Sequence, residues 1–197
     1  MSGFSTNSGL WDGASGLWDG ASGLWGGSSG FQPGAGRTWG GWTVTTGFVQ
    51  SPANTFTRNT ADSWVPTVTS VSAFTGPTKM EGSLSSIGAR DTAWGLDANR
   101  AVTAPYACEY CWYITATSAT TRLSSAVRVT GAAPLAGDIY GVRKTGSAGS
   151  WLIEWYRIRS GTLTVIDSTT TATDESLGVL AGSFQNGTAF SLSTVSK

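Results

Sequence analysis

From residue 42 to residue 195 the chain is a succession of short runs rich in Val, Thr, Tyr, Trp and Ile, broken every 8–14 residues by Gly, Pro, Ser, Asn or Asp. Helical periodicity is hard to find in this stretch. Runs of that kind, ended by turn formers, are what antiparallel sheets are made of, so the spacing predicts an all-β sandwich or barrel. Strands are expected over 42–49, 65–74, 80–87, 106–117, 124–129, 139–144, 151–159, 163–167, 177–184 and 189–195.

Two of these runs say which way they face. In 106–114, Tyr106, Cys108, Tyr110, Trp112 and Ile114 alternate with more polar residues, which marks the even positions as the core face. In 151–159 the odd set Trp151, Ile153, Trp155 continues into Arg157 and Arg159, while Leu152, Tyr156 and Ile158 make the other face partly apolar too. Such a strand is expected inside a sheet, covered on both sides for part of its length. The two arginines are expected to be solvated or ion-paired at its end.

The first 36 residues are of another kind. They hold no Lys or Arg and only two acids, Asp12 and Asp19, and between Gly9 and Phe31 they state a seven-residue unit three times, GLWDGAS, GLWDGAS, GLWGGSS. Period seven invites a coiled coil, but each complete unit carries two glycines, each costing about 1 kcal/mol against Ala in a helix. The stretch therefore reads as an extended arm whose pairs Leu10-Trp11, Leu17-Trp18 and Leu24-Trp25 are docking anchors for a partner, since exposed Leu-Trp pairs need cover. Asp12 and Asp19 suit turn caps. The Pro-Gly cluster at 32–36 separates an arm, 1–36, from a β-domain, 37–197.

Composition narrows the chemistry. Net charge is zero with 12% charged residues and no basic cluster, so capture of nucleic acid is not expected. No run is long and apolar enough for a membrane span, and the start shows no secretory leader pattern. Histidine is absent, which removes the commonest general base and metal ligand. Cys108 and Cys111 form a lone CxxC inside an expected strand, short of the four ligands of a structural zinc site. The first reading is two packed, reduced thiols, with a metal shared between subunits or redox chemistry as the others. No cofactor and no metal site is assigned.

From residue 80 onward the order of features resembles the concanavalin A-like jelly roll in its lectin, laminin-G and SPRY-like forms. The resemblance is carried by Met80-Glu81-Gly82-Ser83-Leu84, Ala93-Trp94-Gly95-Leu96, Ala136-Gly137-Asp138-Ile139-Tyr140-Gly141-Val142, Trp151-Leu152-Ile153-Glu154-Trp155-Tyr156-Arg157, Gly161-Thr162-Leu163-Thr164-Val165 and Leu177-Gly178-Val179-Leu180. It implies an antiparallel jelly-roll β-sandwich. Glucanases of that fold place acids at alternate positions of one strand, and Glu81, Glu109, Glu154 and Glu175 are isolated instead. The arm resembles the N-terminal docking segments of tailed-bacteriophage virion proteins.

Together these readings predict a non-enzymatic virion protein, a phage fibre head or capsid decoration, located in the extracellular particle. The arm is expected to bind other virion proteins or further copies of the chain, as a homotrimer. The sandwich is expected to be lectin-like and to face host glycans. A free carbohydrate-binding module or cell-surface adhesin is the alternative; a glycosidase would need paired carboxylates from distant parts of the chain. For ligand contact the 91–100 stretch, taken as a loop, supplies Asp91, Trp94, Asp97, Asn99 and Arg100, with Trp64 a further aromatic of the right type.

Overall fold

The structure, a computed structural model, describes residues 39, 41–51, 54–64, 67–85, 91–101 and 104–193. The six anchors Leu10, Trp11, Leu17, Trp18, Leu24 and Trp25 lie outside the described residues. In chain order the strands are β1 (Trp42–Val44), β2 (Phe48–Ser51), β3 (Thr55–Arg58), β4 (Val68–Ser70), β5 (Thr78–Leu84), β6 (Thr92–Asp97) and β7 (Tyr110–Ile114). There follow β8 (Ala119–Leu123), β9 (Ala126–Gly131), β10 (Ile139–Ser147), β11 (Ser150–Arg159), β12 (Thr162–Thr171), β13 (Gly178–Ser183) and β14 (Ala189–Leu192). They form two seven-stranded antiparallel sheets, ordered β1-β4-β13-β6-β7-β8-β9 and β12-β11-β10-β5-β14-β3-β2. Consecutive strands that belong to different sheets give the crossing connections of a jelly roll. No described helix is long and apolar enough to cross a membrane.

The core lies between the sheets and is built on tryptophan. Trp94, Trp112 and Trp155 are each at most 1% exposed. Each indole donates to a carbonyl oxygen of the opposite sheet: Trp94 to Tyr140 (3.1 Å), Trp112 to Gly141 (2.9 Å) and Trp155 to Cys111 (3.1 Å). A buried indole N–H needs such a partner. Here the partner is always across the sandwich, so the three bonds fix the lateral position of one sheet on the other.

Several expected strands are redrawn. Residues 42–49 divide into β1 and β2, which belong to different sheets around Gly47 at φ +117°. The expected strand 106–117 starts only at Tyr110, because Pro105 opens a short 3-10 turn, Pro105–Ala107, where its missing N–H costs nothing. From Tyr110 on, the even residues are core as the alternation requires. The stretch 91–100 is not a loop: Thr92–Asp97 is β6, fully buried between β13 and β7. Its Ala, Gly and Asp are poor strand formers, and burial on both faces overrides that propensity. Gly95 is required there, since a Cβ would strike the Tyr110 carbonyl and the Cys111 backbone.

β11 pairs on both sides, with β10 and β12, and buries Trp151, Ile153 and Trp155 on one face and Tyr156 on the other. Tyr156 lies across Gly141, where no side chain is tolerated, and donates to Glu81 Oε1 at 2.6 Å. Arg159 closes the strand end on Asp138 at 2.6 Å. Both cysteines are free thiols, buried together with Leu180.

Candidate functional site

The residues that β6 was expected to present together are sent to different places. Trp94 is sealed in the core, which rules out the ligand contact expected of it; strand alternation points its side chain between the sheets. Asp97 is 5% exposed and accepts a hydrogen bond from the Glu109 N–H at 2.7 Å. Asn99 and Arg100 lie just beyond the strand: Asn99 Oδ1 accepts from the Ala101 N–H, and Arg100 donates to the Ser70 and Val71 carbonyls. Asp91 alone joins an aromatic cluster, and that cluster is the candidate site.

Trp64, Tyr106, Tyr113 and Phe184 meet on the outer side of the first sheet, all of them partly exposed. Trp64 is the hub, its ring 5.1 Å from Tyr106, 6.0 Å from Tyr113 and 5.7 Å from Phe184. The Arg122 guanidinium stands 4.6 Å over the Tyr113 ring and 5.7 Å from Tyr106. Asp91 lies beside Tyr113, and burial, then the Asp91 charge, push its phenol up to about 12. The phenol therefore stays protonated at any physiological pH.

Backbone and a buried arginine hold the cluster in place. The Ser63 N–H donates to the Phe184 carbonyl and the Phe184 N–H to the Asp91 carbonyl, each at 2.8 Å, so the three segments carrying Trp64, Phe184 and Asp91 are tied in series. Beneath them Arg58, 1% exposed, donates to the Ala61 carbonyl at 2.6 Å and the Ser183 carbonyl at 3.3 Å. A guanidinium can span two segments this way because its donors diverge in one plane. Rings held by such ties are a platform formed before any ligand arrives.

The overall architecture has close parallels among solved structures. The PSpry domain of TRIM65 superposes with a TM-score of 0.59 over 80% of this chain and 92% of that one, at 11% identity. The fold is a jelly-roll β-sandwich like that of this domain. A human SPRY domain matches this SPRY-type sandwich with a TM-score of 0.53 at 14% identity, over 77% and 96% of the two chains. The SPRY domain of human HERC1 gives 0.52 at 10% identity, over 75% and 92%. No protein-family model matches the sequence, and no curated protein matches it. The concanavalin A-like expectation thus holds for the fold.

Two carboxylates distant in sequence do meet at one end of the SPRY-type sandwich. Glu109, which precedes β7, is hydrogen-bonded to Glu175, which precedes β13; burial, then this contact, push Glu109 up to about 7. Among the described residues no cluster of three or more His, Cys, Asp or Glu could hold a metal ion.

Sequence alone singled out Trp64 and Asp91 but not Tyr106, Tyr113, Phe184 or Arg58. Tyr113 had a signal, an outward parity in a strand whose even face is core. Phe184 and Arg58 had none, because their roles depend on which loops become neighbours.

Proposed function

We propose that this chain is a non-enzymatic virion protein, a fibre head or capsid decoration, in which residues 1–36 anchor the molecule and the SPRY-type sandwich presents a saccharide-binding face. The single observation that carries the binding role is the preformed quartet Trp64, Tyr106, Tyr113 and Phe184 with Asp91 and Arg122 at its border. A pyranose offers C–H groups on one face and hydroxyls around its rim. The first suit the negative faces of indole and phenol rings, and the second suit a carboxylate and a guanidinium. The anchoring role rests on the three Leu-Trp repeats, whose even spacing suits repeated equivalent pockets and a trimer held by avidity.

A glycan array probed with the full chain and with Tyr106→Ala tests the binding face. Retained binding by the wild type and at least a ~10-fold loss in the variant are expected. Silence of the wild type across neutral and acidic glycans would overturn this part. Removal of residues 1–30 tests the anchor: particle incorporation or self-association should be lost while glycan binding persists. If association is unchanged, the alternative of a free carbohydrate-binding module takes over.

A further inference from the structure

Away from the aromatic face, an open groove of about 530 Å³ runs between the β1-β4 edge of the first sheet and the residues that follow β6. That volume is within the roughly 300–1,000 Å³ of ordinary ligand sites. Thr43 and Thr69, directly opposed in the β1-β4 register, set two hydroxyl-bearing side chains on one wall. Asn99 and Arg100 form the other wall, and among the described residues Arg100 is the only charged one lining the groove.

Arg100 is fixed as a binding group is fixed. Its Nη1 donates to the Ser70 carbonyl at 2.5 Å and the Val71 carbonyl at 3.0 Å. Ser70 is itself pinned, its hydroxyl donating to the Ser72 carbonyl and accepting the Val179 N–H. The arginine stem crosses β13 at Gly178, where any Cβ would collide with Arg100 Cδ. Among the described residues Arg100 forms no ion pair, unlike Arg128, Arg143 and Arg159. With Nη1 engaged on two backbone carbonyls, no hydrogen bond to a described residue occupies the Nε–Nη2 edge. That edge is the fork that grips a carboxylate through two parallel N–H···O bonds.

We propose that this groove binds the carboxylate of an acidic saccharide, with Arg100 as the anion anchor and Thr43, Thr69 and Asn99 contacting ring hydroxyls. Among the described residues the groove carries no acid to oppose an anion, and its neutral side chains offer both donors and acceptors, as a polyhydroxylated ring requires. This site is separate from the aromatic face and stands without it.

The test is calorimetric titration of the full chain with oligogalacturonate and, in parallel, with its methyl ester, which keeps the ring and removes the charge. The acid is expected to bind at least ~10-fold tighter than the ester, and the difference to shrink with salt. Arg100→Gln should abolish the preference. Thr43→Glu places a competing carboxylate on the exposed wall without touching the Arg100 bonds to Ser70 and Val71; it removes one ring contact from both ligands and should weaken the acid by ~10-fold or more beyond its effect on the ester. Tyr106→Ala should leave the acid preference intact. Equal binding of acid and ester, or wild-type affinity for the acid in a folded Thr43→Glu protein, would overturn the assignment.

Discussion

Trp94 Nε1 donates to the Tyr140 carbonyl oxygen at 3.1 Å, from β6 in one sheet to β10 in the other, with Gly82 leaving the room in which the indole lies. The bond joins the strand least legible in the sequence to one of the most legible. Trp94→Phe keeps an aromatic ring but strips the donor and with it the cross-sheet bond to Tyr140. A loss of about 1–3 kcal/mol is expected in urea denaturation, with saccharide binding unchanged because the residue reaches no surface.

Gly141 carries the Tyr156 ring across it, and a methyl group at 141 would collide with that ring. Gly141→Ala should therefore displace Tyr156 from Glu81 and cost about 1–3 kcal/mol by overpacking. Tyr156→Phe in the Gly141→Ala background should add little, since the hydrogen bond it removes is already gone. A double-mutant cycle reads the coupling directly.

Lys144 is 1% exposed, with its ammonium 3.2 Å from Asp174, 3.1 Å from the Glu175 carbonyl and 4.4 Å from the Trp151 ring centroid. Breaking a pair strands the buried charge, whereas removing the charge does not. Asp174→Asn should thus destabilise more than Lys144→Met. Because Asp174 is partly exposed, water offsets some of the loss and the difference should be on the order of 1 kcal/mol. Equal effects in thermal melts would contradict this account.

Stability should also fall across neutral pH for an identifiable reason. Glu109, pushed up to about 7 in the folded chain, keeps a proton there that an unfolded glutamate gives up near about 4.3. In that window the folded state binds more protons, so stability declines as pH rises from about 4.3 to about 7 and then levels. Asp97, raised by burial, acts in the same direction. Asp138 and Asp167 act oppositely. Burial pushes both up, but Arg159 on one and Arg128 on the other outweigh it and hold them below the ordinary range, so their stabilisation is lost only in stronger acid. Glu109→Gln should match the wild type at about pH 4 and melt several degrees higher at about pH 8, ~2–4 °C per kcal/mol for a chain of this size.

How much of this was legible depends on what each residue answers to. Strands such as β10 and β11 carry their own evidence, since Tyr140, Val142, Ile153 and Trp155 favour a pleated chain wherever it packs. β6 does not, because Gly95 and Asp97 answer to what presses on them, the Tyr110 carbonyl and Cys108 on the first and the Glu109 N–H on the second. The same division splits the 91–100 stretch. Residue type marked Trp94 and Asp91 alike, and strand parity sent the first into the core and left the second at the aromatic face.

The sequence by itself determined that this chain is antiparallel β, where most of its strands begin, that its first 36 residues are a Gly-rich repeat of another kind, and that no histidine is available for chemistry. These are local matters of propensity, period and composition. Only the tertiary structure decided that Trp64, Tyr106, Tyr113 and Phe184 would share one face, that Arg58 would clamp the loops beneath them, and that Arg100 would lie across Gly178 beside Thr43 and Thr69. Those neighbours come from different strands, and strand pairing is a long-range choice made by burying the tryptophan core as a whole. No residue's immediate sequence records it.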